Sequence, residues 1–459
     1  MQRMDKTSTI IVENWRVSMF QDTIAAIATA DAMGAISVIR ISGSDAIQIV
    51  TDLTGKDFSN AKGYTIHYAT IKEGNESVDE VLVSLFRAPK SYTGEDVVEI
   101  SCHGGVYITR KVLSLILGAG ARMARRGEFT ERAFLSGKMD LSQAEGINDL
   151  IWAKDEINAK SAIHSLKGSV AKLMRPLEED LTQIISNIEV NIDYPEYDDV
   201  HQLTEEEILP RAEKWIDDIH KIIVTAQQSA VIKEGINTVI LGRPNVGKSS
   251  LLNALLEEDK AIVTDVAGTT RDLVEGTVRL NGITINLIDT AGIRKSDDAI
   301  EQIGITKSLQ ALEKAQLVIV VLDGSEELTK EDQELLEKTK NHNRIVVYNK
   351  KDKDSMHAGI SISAIQKDIT ELTNAIVEKY HSEYIAANSD TLNNERQIGY
   401  ALQAEQAMND AVNALHAGVE LDLVTIDLEK AWTALRQITG KAGKEDLLDE
   451  IFSRFCLGK

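Results

Sequence analysis

Between Leu241 and Ser250 the chain reads L-G-R-P-N-V-G-K-S-S, directly after the apolar run Thr238-Val239-Ile240-Leu241 and ahead of Leu251-Leu252-Asn253-Ala254-Leu255-Leu256. This is G-x-x-x-x-G-K-[ST] in the order strand, loop, helix. It commits the surrounding residues to a strand–loop–helix unit whose loop N–H groups curl round a polyphosphate at a helix N-terminus. Asn245, Val246, Gly247, Lys248, Ser249 and Ser250 then line the phosphates. Lys248 reaches the β- and γ-phosphates, and the Ser249 hydroxyl is placed to hold Mg2+. The pattern predicts nucleoside triphosphate binding.

About a hundred residues on, the buried-strand pattern Ile345-Val346-Val347-Tyr348 ends in Asn349-Lys350-Lys351-Asp352. A carboxylate at Asp352 accepts from both N1–H and the exocyclic amine of guanine. Adenine offers no such donor pair and would leave the acid unpaired. After a phosphate loop, this tetrad specifies GTP. Ser363-Ala364, following Ile360-Ser361-Ile362, would close over guanine O6 through the backbone.

Two further segments complete a nucleotide switch. Ile285-Asn286-Leu287-Ile288 reads as a strand leading into Asp289-Thr290-Ala291-Gly292. There Asp289 would bind Mg2+ through water and the Gly292 N–H would sense the γ-phosphate. Asn281-Gly282 joins this strand to the one before it, around Val278 to Leu280, as a hairpin. Upstream, Asp265-Val266-Ala267-Gly268-Thr269-Thr270 is polar and Gly-containing, as a loop ordering around Mg2+ should be, with Thr270 as second hydroxyl ligand. Where many GTPases place a water-orienting Gln after D-x-x-G, this chain has Ile293. Water activation and charge neutralisation must come from elsewhere.

Composition narrows the remainder. A chain of 459 residues implies roughly three domains. The balance of 72 acids against 50 bases, −22 in all, repels nucleic acid overall, so RNA contact must be local or come from a basic partner. The short basic stretch Arg122, Arg125, Arg126 and Arg132 reads as a solvated face before an RNA contact. Two cysteines, Cys102 and Cys456, cannot build a disulfide scaffold. No apolar run approaches the roughly 20 residues of a membrane span, and no signal peptide is visible, so a cytoplasmic chain is expected. Leu166, Val170, Leu173, Leu177, Leu181, Ile184 and Ile188 form one apolar stripe along a long helix, in which Pro176 predicts a kink or break.

The GTPase motifs, Thr93-Gly94-Glu95-Asp96, Gly127-Glu128-Phe129-Thr130-Glu131-Arg132-Ala133-Phe134 and the ending Phe455-Cys456-Leu457-Gly458-Lys459 together make the chain similar to the MnmE (TrmE) family of tRNA-uridine-modification GTPases. The resemblance runs from about Asp22 to the last residue. It implies a multidomain α/β plus α architecture. Residues 1–21 would be an N-terminal extension, disordered or a misassigned start. Residues 22–138 would form an α+β tetrahydrofolate-binding and dimerisation domain, and 139–234 and 383–459 the two parts of a discontinuous helical domain. Residues 235–382 would be an inserted Ras-like P-loop GTPase domain.

By the same resemblance, Arg40, Glu99, Lys138 and Lys459 would hold 5-formyltetrahydrofolate or a related one-carbon donor. Cationic side chains suit the folate's glutamate carboxylates, and Glu99 suits pterin N–H groups. Where the family usually has a Pro-, Gly- and Arg-rich loop, this chain has Thr29-Ala30-Asp31-Ala32-Met33-Gly34-Ala35. Asn245, Thr264, Val266 and Thr269 match the residues that hold K+ when two G domains meet, and Glu301 matches the residue that orients the attacking water. With Lys248, Glu301 would carry hydrolysis. Cys456 receives no catalytic role.

The implied activity is K+-assisted GTP hydrolysis by a homodimer. With an MnmG (GidA)-like FAD/NADH protein, in a heterotetramer, it would add an aminomethyl or carboxymethylaminomethyl group to C5 of the wobble uridine of tRNAs. The alternative is a regulatory ribosome-assembly GTPase, which would share the motifs from Gly242 to Ala364 but explain neither the N-terminal segments nor the tail. A membrane-associated GTPase would need a polybasic or amphipathic lipid-binding segment, and none is visible.

Overall fold

Burial alternates along Ile36–Ser42, with Ser37, Ile39 and Ile41 buried and Val38 and Arg40 only half-buried, so one face of this strand is covered and the other is available for a site. The computed structural model describes residues 22–193, 205–258, 274–288, 312–353, 356–442, 448 and 451–458. The expected extension at 1–21, Glu301, Lys459 and the segments 264–270 and 289–292 lie outside the described residues. Two compact units emerge, one from Met1–Trp152, Ala162–Gln202 and Val419–Lys459, the other from Ala153–Ser161 and Leu203–Gly418.

In the first unit, strands β1 (Ile24–Ile27), β2 (Ile36–Ser42), β3 (Thr65–Glu73), β4 (Glu76–Phe86), β5 (Val97–His103) and β6 (Arg122–Met123) form one sheet in the order β3-β4-β5-β2-β1-β6. All pairings are antiparallel except β1 with β6. Helices Ala46–Thr54 and Val106–Gly118 cover one face, burying Ile39, Ile41, Val83, Val98 and Ile100 against Val50, Val112 and Ile116. On the opposite face, helix Glu128–Leu135 supplies Phe129 to Ile24, Ala26 and Ala124. Register places Ala26 beside Arg40, Arg40 beside Glu99 and Glu99 beside Ser84, all on this second face.

From Val170 onward the stripe forms helix Ser169–Asp193, which runs through Pro176 unbroken. Leu166 ends the separate helix Glu156–Leu166, a correction to the single helix expected. Pro176 is exposed, while Val170, Met174, Leu177, Leu181 and Ile184 are buried on the other side. Burial of those turns outweighs the one hydrogen bond the proline removes. The stripe expected at Leu173 is corrected by one residue: Met174 is buried and Leu173 only half-buried. Helix Leu421–Thr439 lies against it, with Trp432 Nε1 donating to Thr182 Oγ1 at 2.8 Å.

In the second unit, β7 (Ile236–Leu241), β8 (Val274–Leu280), β9 (Ile283–Ile288), β10 (Leu317–Asp323), β11 (Arg344–Asn349) and β12 (Ile360–Ser361) order as β12-β11-β10-β7-β9-β8. Five run parallel and β8 is an antiparallel edge. The expected hairpin is present: Leu280 pairs Ile283 across Asn281 (φ 50°) and Gly282 (φ 88°), the two left-handed positions of a primed turn. Every residue of β10 is buried, as a central parallel strand covered on both faces requires. Helices Lys248–Glu258 and Thr370–Lys379 cover one face and Lys330–Lys338 the other. The neighbours of β7 are β9 and β10 on opposite sides, so the loop leaving β7 opens at a topological switch point, where such sheets bind ligands. Helices Glu205–Glu234 and Glu395–His416 belong to this unit, joined by His220 Nδ1 and Glu405 Oε1 at 2.7 Å.

Candidate functional site

The loop after β7 turns directly into helix Lys248–Glu258, so its backbone N–H groups face the switch point at the helix N-terminus. Asn245 (φ 64°) and Gly247 (φ 99°) take left-handed conformations that wrap the loop. At Gly247 a Cβ would stand 2.1 Å from Asn349 Nδ2, so only glycine fits. Lys248 folds back over the loop, donating to Gly242 O and Arg243 O, each at 2.8 Å. Burial pushes its ammonium pKa down, and an arriving phosphate would restore the missing counter-charge. Val246 is buried under the loop, while Ser249 and Ser250 open the helix.

The N-K-K-D tetrad is joined to this loop. Asn349 Nδ2 donates to Val246 O at 2.8 Å, and Asn349 Oδ1 accepts from the Ala364 N–H at 3.0 Å. One side chain thus ties the phosphate loop, the N-K-K-D tetrad and the Ser363-Ala364 turn. Asp352 is exposed and accepts from Ser363 Oγ at 2.6 Å, a bond that holds its carboxyl below the usual range. Lys350 donates to Asp323 Oδ2 at 2.5 Å, and Lys351 Nζ donates to Glu371 Oε1 at 2.9 Å. The Asp352 carboxylate is therefore held ionised and in a fixed orientation. Of the implied metal ligands, Ser249 and Asn245 stand on the phosphate loop. Thr270, Thr264, Val266, Thr269 and Asp289 lie outside the described residues, as do Thr290, Ala291, Gly292 and the water-orienting candidate Glu301.

In the first unit, Arg40 and Glu99 meet on neighbouring strands: Arg40 Nε donates to Glu99 Oε1 at 2.9 Å. Arg40 also donates to Gly458 O at 3.1 Å, and its guanidinium lies 5.3 Å from the Tyr92 ring centre and 5.6 Å from that of Phe129. The result is a cationic fork with two aromatic walls beside a carboxylate. A planar heterocycle bearing N–H donors and an anionic tail is complementary to such a site. Lys138 does not join the pair, since its ammonium donates to Pro89 O. Lys459 lies outside the described residues. Gly458 is clamped beside it: with φ 88°, a Cβ there would stand 2.3 Å from Ile27 O. The tail is anchored by Phe452 and Phe455, buried against Leu141 and Ala144. Cys456 is half-buried, and its carbonyl accepts from Gly127 N at 3.4 Å.

The two N-terminal segments that carry the resemblance form an ion network. Arg132, 1% exposed, donates to Asp22, Glu95 and Glu128, while Glu95 Oε2 accepts from Ser42 Oγ at 2.6 Å. Burial alone would raise the Glu128 pKa; the Arg122 and Arg125 bonds and the Arg122 and Arg132 charges outweigh it and bring it down. The solvated-face expectation holds for Arg122, Arg125 and Arg126, which are exposed, Arg122 and Arg125 pairing with Asp22, Glu128 and Glu131. It is corrected only at Arg132, which is buried among Asp22, Glu95 and Glu128. Sequence reasoning missed Tyr92, Phe129, Gly458 and Asp323. Phe129 and Gly458 stand inside the segments that carry the resemblance, but nothing in those segments gives them a role beside Arg40, and no motif marks Tyr92 or Asp323.

Comparison with known proteins agrees with this geometry. The family model described as GTP-binding protein TrmE N-terminus matches residues 23–138, and that of the MnmE helical domain matches residues 141–456. A tRNA modification GTPase MnmE of Lactiplantibacillus plantarum is 47% identical, covering 95% of this chain and 98% of the relative. Those of Levilactobacillus brevis and Bacillus cytotoxicus are 46% and 45% identical, each covering 95% of this chain and 98% and 99% of the relative. The chain belongs to the MnmE family of tRNA modification GTPases.

Proposed function

We propose that this GTPase hydrolyses GTP in a K+-assisted step that depends on pairing of two G domains. With an MnmG-like FAD/NADH protein it adds an aminomethyl or carboxymethylaminomethyl group to C5 of the wobble uridine of tRNAs. The observation that carries this reading is the Arg40–Glu99 pair walled by Tyr92 and Phe129 and closed by the chain's own tail at Gly458. A GTPase without modification chemistry has no use for a second, fork-and-aromatic site. 5-Formyltetrahydrofolate or a related one-carbon donor would occupy it and supply the carbon. Glu99 accepts from its pterin edge there, and Arg40, bonded to Glu99 at 2.9 Å, meets the same end of the donor. Lys138 and Lys459 complete the site by resemblance.

In the G domain, Lys248 neutralises phosphate charge, Ser249 and Thr270 hold Mg2+, and Asn245, Thr264, Val266 and Thr269 hold K+. The added cation supplies the positive charge that an arginine finger brings elsewhere. Glu301 orients the water in place of the missing Gln. The homodimer is supported by the open end of the first sheet, where Ile66, Tyr68 and Leu82 stand exposed side by side on β3 and β4. Among the described residues no helix is long and apolar enough to cross a membrane, and we place the protein in the cytoplasm with tRNA. Residues 22–138, 139–234 with 383–459, and 235–382 serve as folate, helical and GTPase domains.

The test is deletion of the gene in its host with mass spectrometry of tRNA nucleosides. Loss of C5-aminomethyl-type uridines, restored by the wild type and not by Lys248→Ala, is expected. An unchanged nucleoside profile overturns the modification role.

A further inference from the structure

Asp323 closes β10 directly opposite Asn349, the first residue of the base-reading tetrad. It is 4% exposed, and a carboxylate so enclosed must be fully partnered. Its partners are local and few: Ser325 N at 3.1 Å, Ser325 Oγ at 2.7 Å and the Lys350 ammonium at 2.5 Å. Burial raises its pKa; the bonds to Lys350 and Ser325 and the Lys350 charge reverse this, so it stays ionised. Lys350 itself sits at φ 72°, a left-handed conformation that a lysine adopts rarely and only when its surroundings impose it. That turn sends the chain through Lys351, whose N–H donates to Ile362 O at 2.9 Å, and delivers Asp352 to Ser363. Gly324 N, next to Asp323, donates to Asn349 O at 2.8 Å and braces the same turn from the other side.

We propose that Asp323 is a positioning residue for guanine specificity, holding Lys350 in its left-handed turn so that Asp352 meets the guanine edge. The inference rests on the GTP-binding reading of the site. Asp323 would touch no nucleotide; it acts through Lys350. Asp323→Ala frees the lysine to relax toward an ordinary backbone conformation and carries Asp352 out of register. Asp323→Asn keeps an oxygen acceptor but loses the charge.

The experiment compares GDP with IDP, which lacks the exocyclic amine that Asp352 accepts from, by competition against a fluorescent guanine nucleotide on the full chain. Wild type should prefer GDP, and Asp323→Ala should lose about tenfold of that preference, the worth of one hydrogen bond to a charged group. Asp323→Asn should fall between them. A merely structural role would weaken both nucleotides equally, so an unchanged GDP-to-IDP ratio in Asp323→Ala overturns the proposal. Should thermal unfolding show that variant unfolded, the ratio in Asp323→Asn decides in the same way. A wild type that does not discriminate overturns the guanine reading itself, and this inference with it.

Discussion

Replacing Gly458 by alanine tests whether the tail builds the one-carbon site. Among the described residues, Arg40 donates to Gly458 O at 3.1 Å and Gly127 donates to Cys456 O at 3.4 Å at the tip of the tail. Such bonds are together worth about 2–4 kcal/mol. An alanine at φ 88° costs about 1–2 kcal/mol in backbone strain, before any clash is counted. Its Cβ would also lie 2.3 Å from Ile27 O and 2.8 Å from Ala28 Cα, both backbone atoms of the first strand and its exit. No side-chain rotation relieves contacts with backbone, so the tip must leave. Phe452 and Phe455 stay buried, and the melting temperature should move little. Titration with 5-formyltetrahydrofolate by calorimetry should show affinity falling about tenfold or more, since a site competent only part of the time binds more weakly in proportion. GTP hydrolysis by the same variant should match wild type. Leu457→Ala, at an exposed neighbouring position, is the control and should bind normally. Wild-type folate affinity in Gly458→Ala would refute the reasoning.

Further outcomes are expected. Glu301→Ala should keep GTP binding and lose most turnover, and wild type should hydrolyse GTP faster in KCl than in NaCl at matched ionic strength; stopped-flow and phosphate-release assays check both. Gly247→Ala should abolish nucleotide binding measured by fluorescence titration, because its Cβ would stand 2.1 Å from Asn349 Nδ2. Lys248 has its pKa lowered by burial, so at alkaline pH part of the nucleotide-free protein carries it neutral. GTP binding should then take up protons, seen as a buffer-dependent calorimetric enthalpy, with affinity declining as pH rises. Glu128→Gln should cost about 3 kcal/mol at pH 7, because a buried ion pair with Arg132 is broken. The Glu128 pKa is lowered in the folded state, so its stabilisation is complete above the ordinary carboxylate range and fades as pH falls through and below it. The melting gap between variant and wild type should close there.

Much of the second unit was legible from residues alone. The phosphate loop, the N-K-K-D tetrad and the Asn281-Gly282 hairpin each encode a backbone geometry within a few positions, and the structure places all three as read. Where pattern alone was followed, it slipped. The stripe on helix Ser169–Asp193 seats Met174 rather than Leu173, because three- and four-residue steps leave neighbouring positions nearly equivalent until a partner helix chooses. Arg132 looked like part of a solvated cluster because spacing carries no record of Asp22 or Glu95, its partners from other segments.

What the sequence determined by itself was therefore local chemistry: a triphosphate loop, a guanine acceptor, a missing Gln and the segments that mark the family. Only the tertiary structure decided that Arg40 meets Gly458, 418 positions away, and that Asn349 bridges back to Val246 across 103. It alone decided that Asp323 reaches Lys350. Motif spacing reports geometry along a few bonds. Contacts between distant segments exist only because the packed sheets and helices have already met the entropy of closing those loops, a cost no single pair of residues could offset.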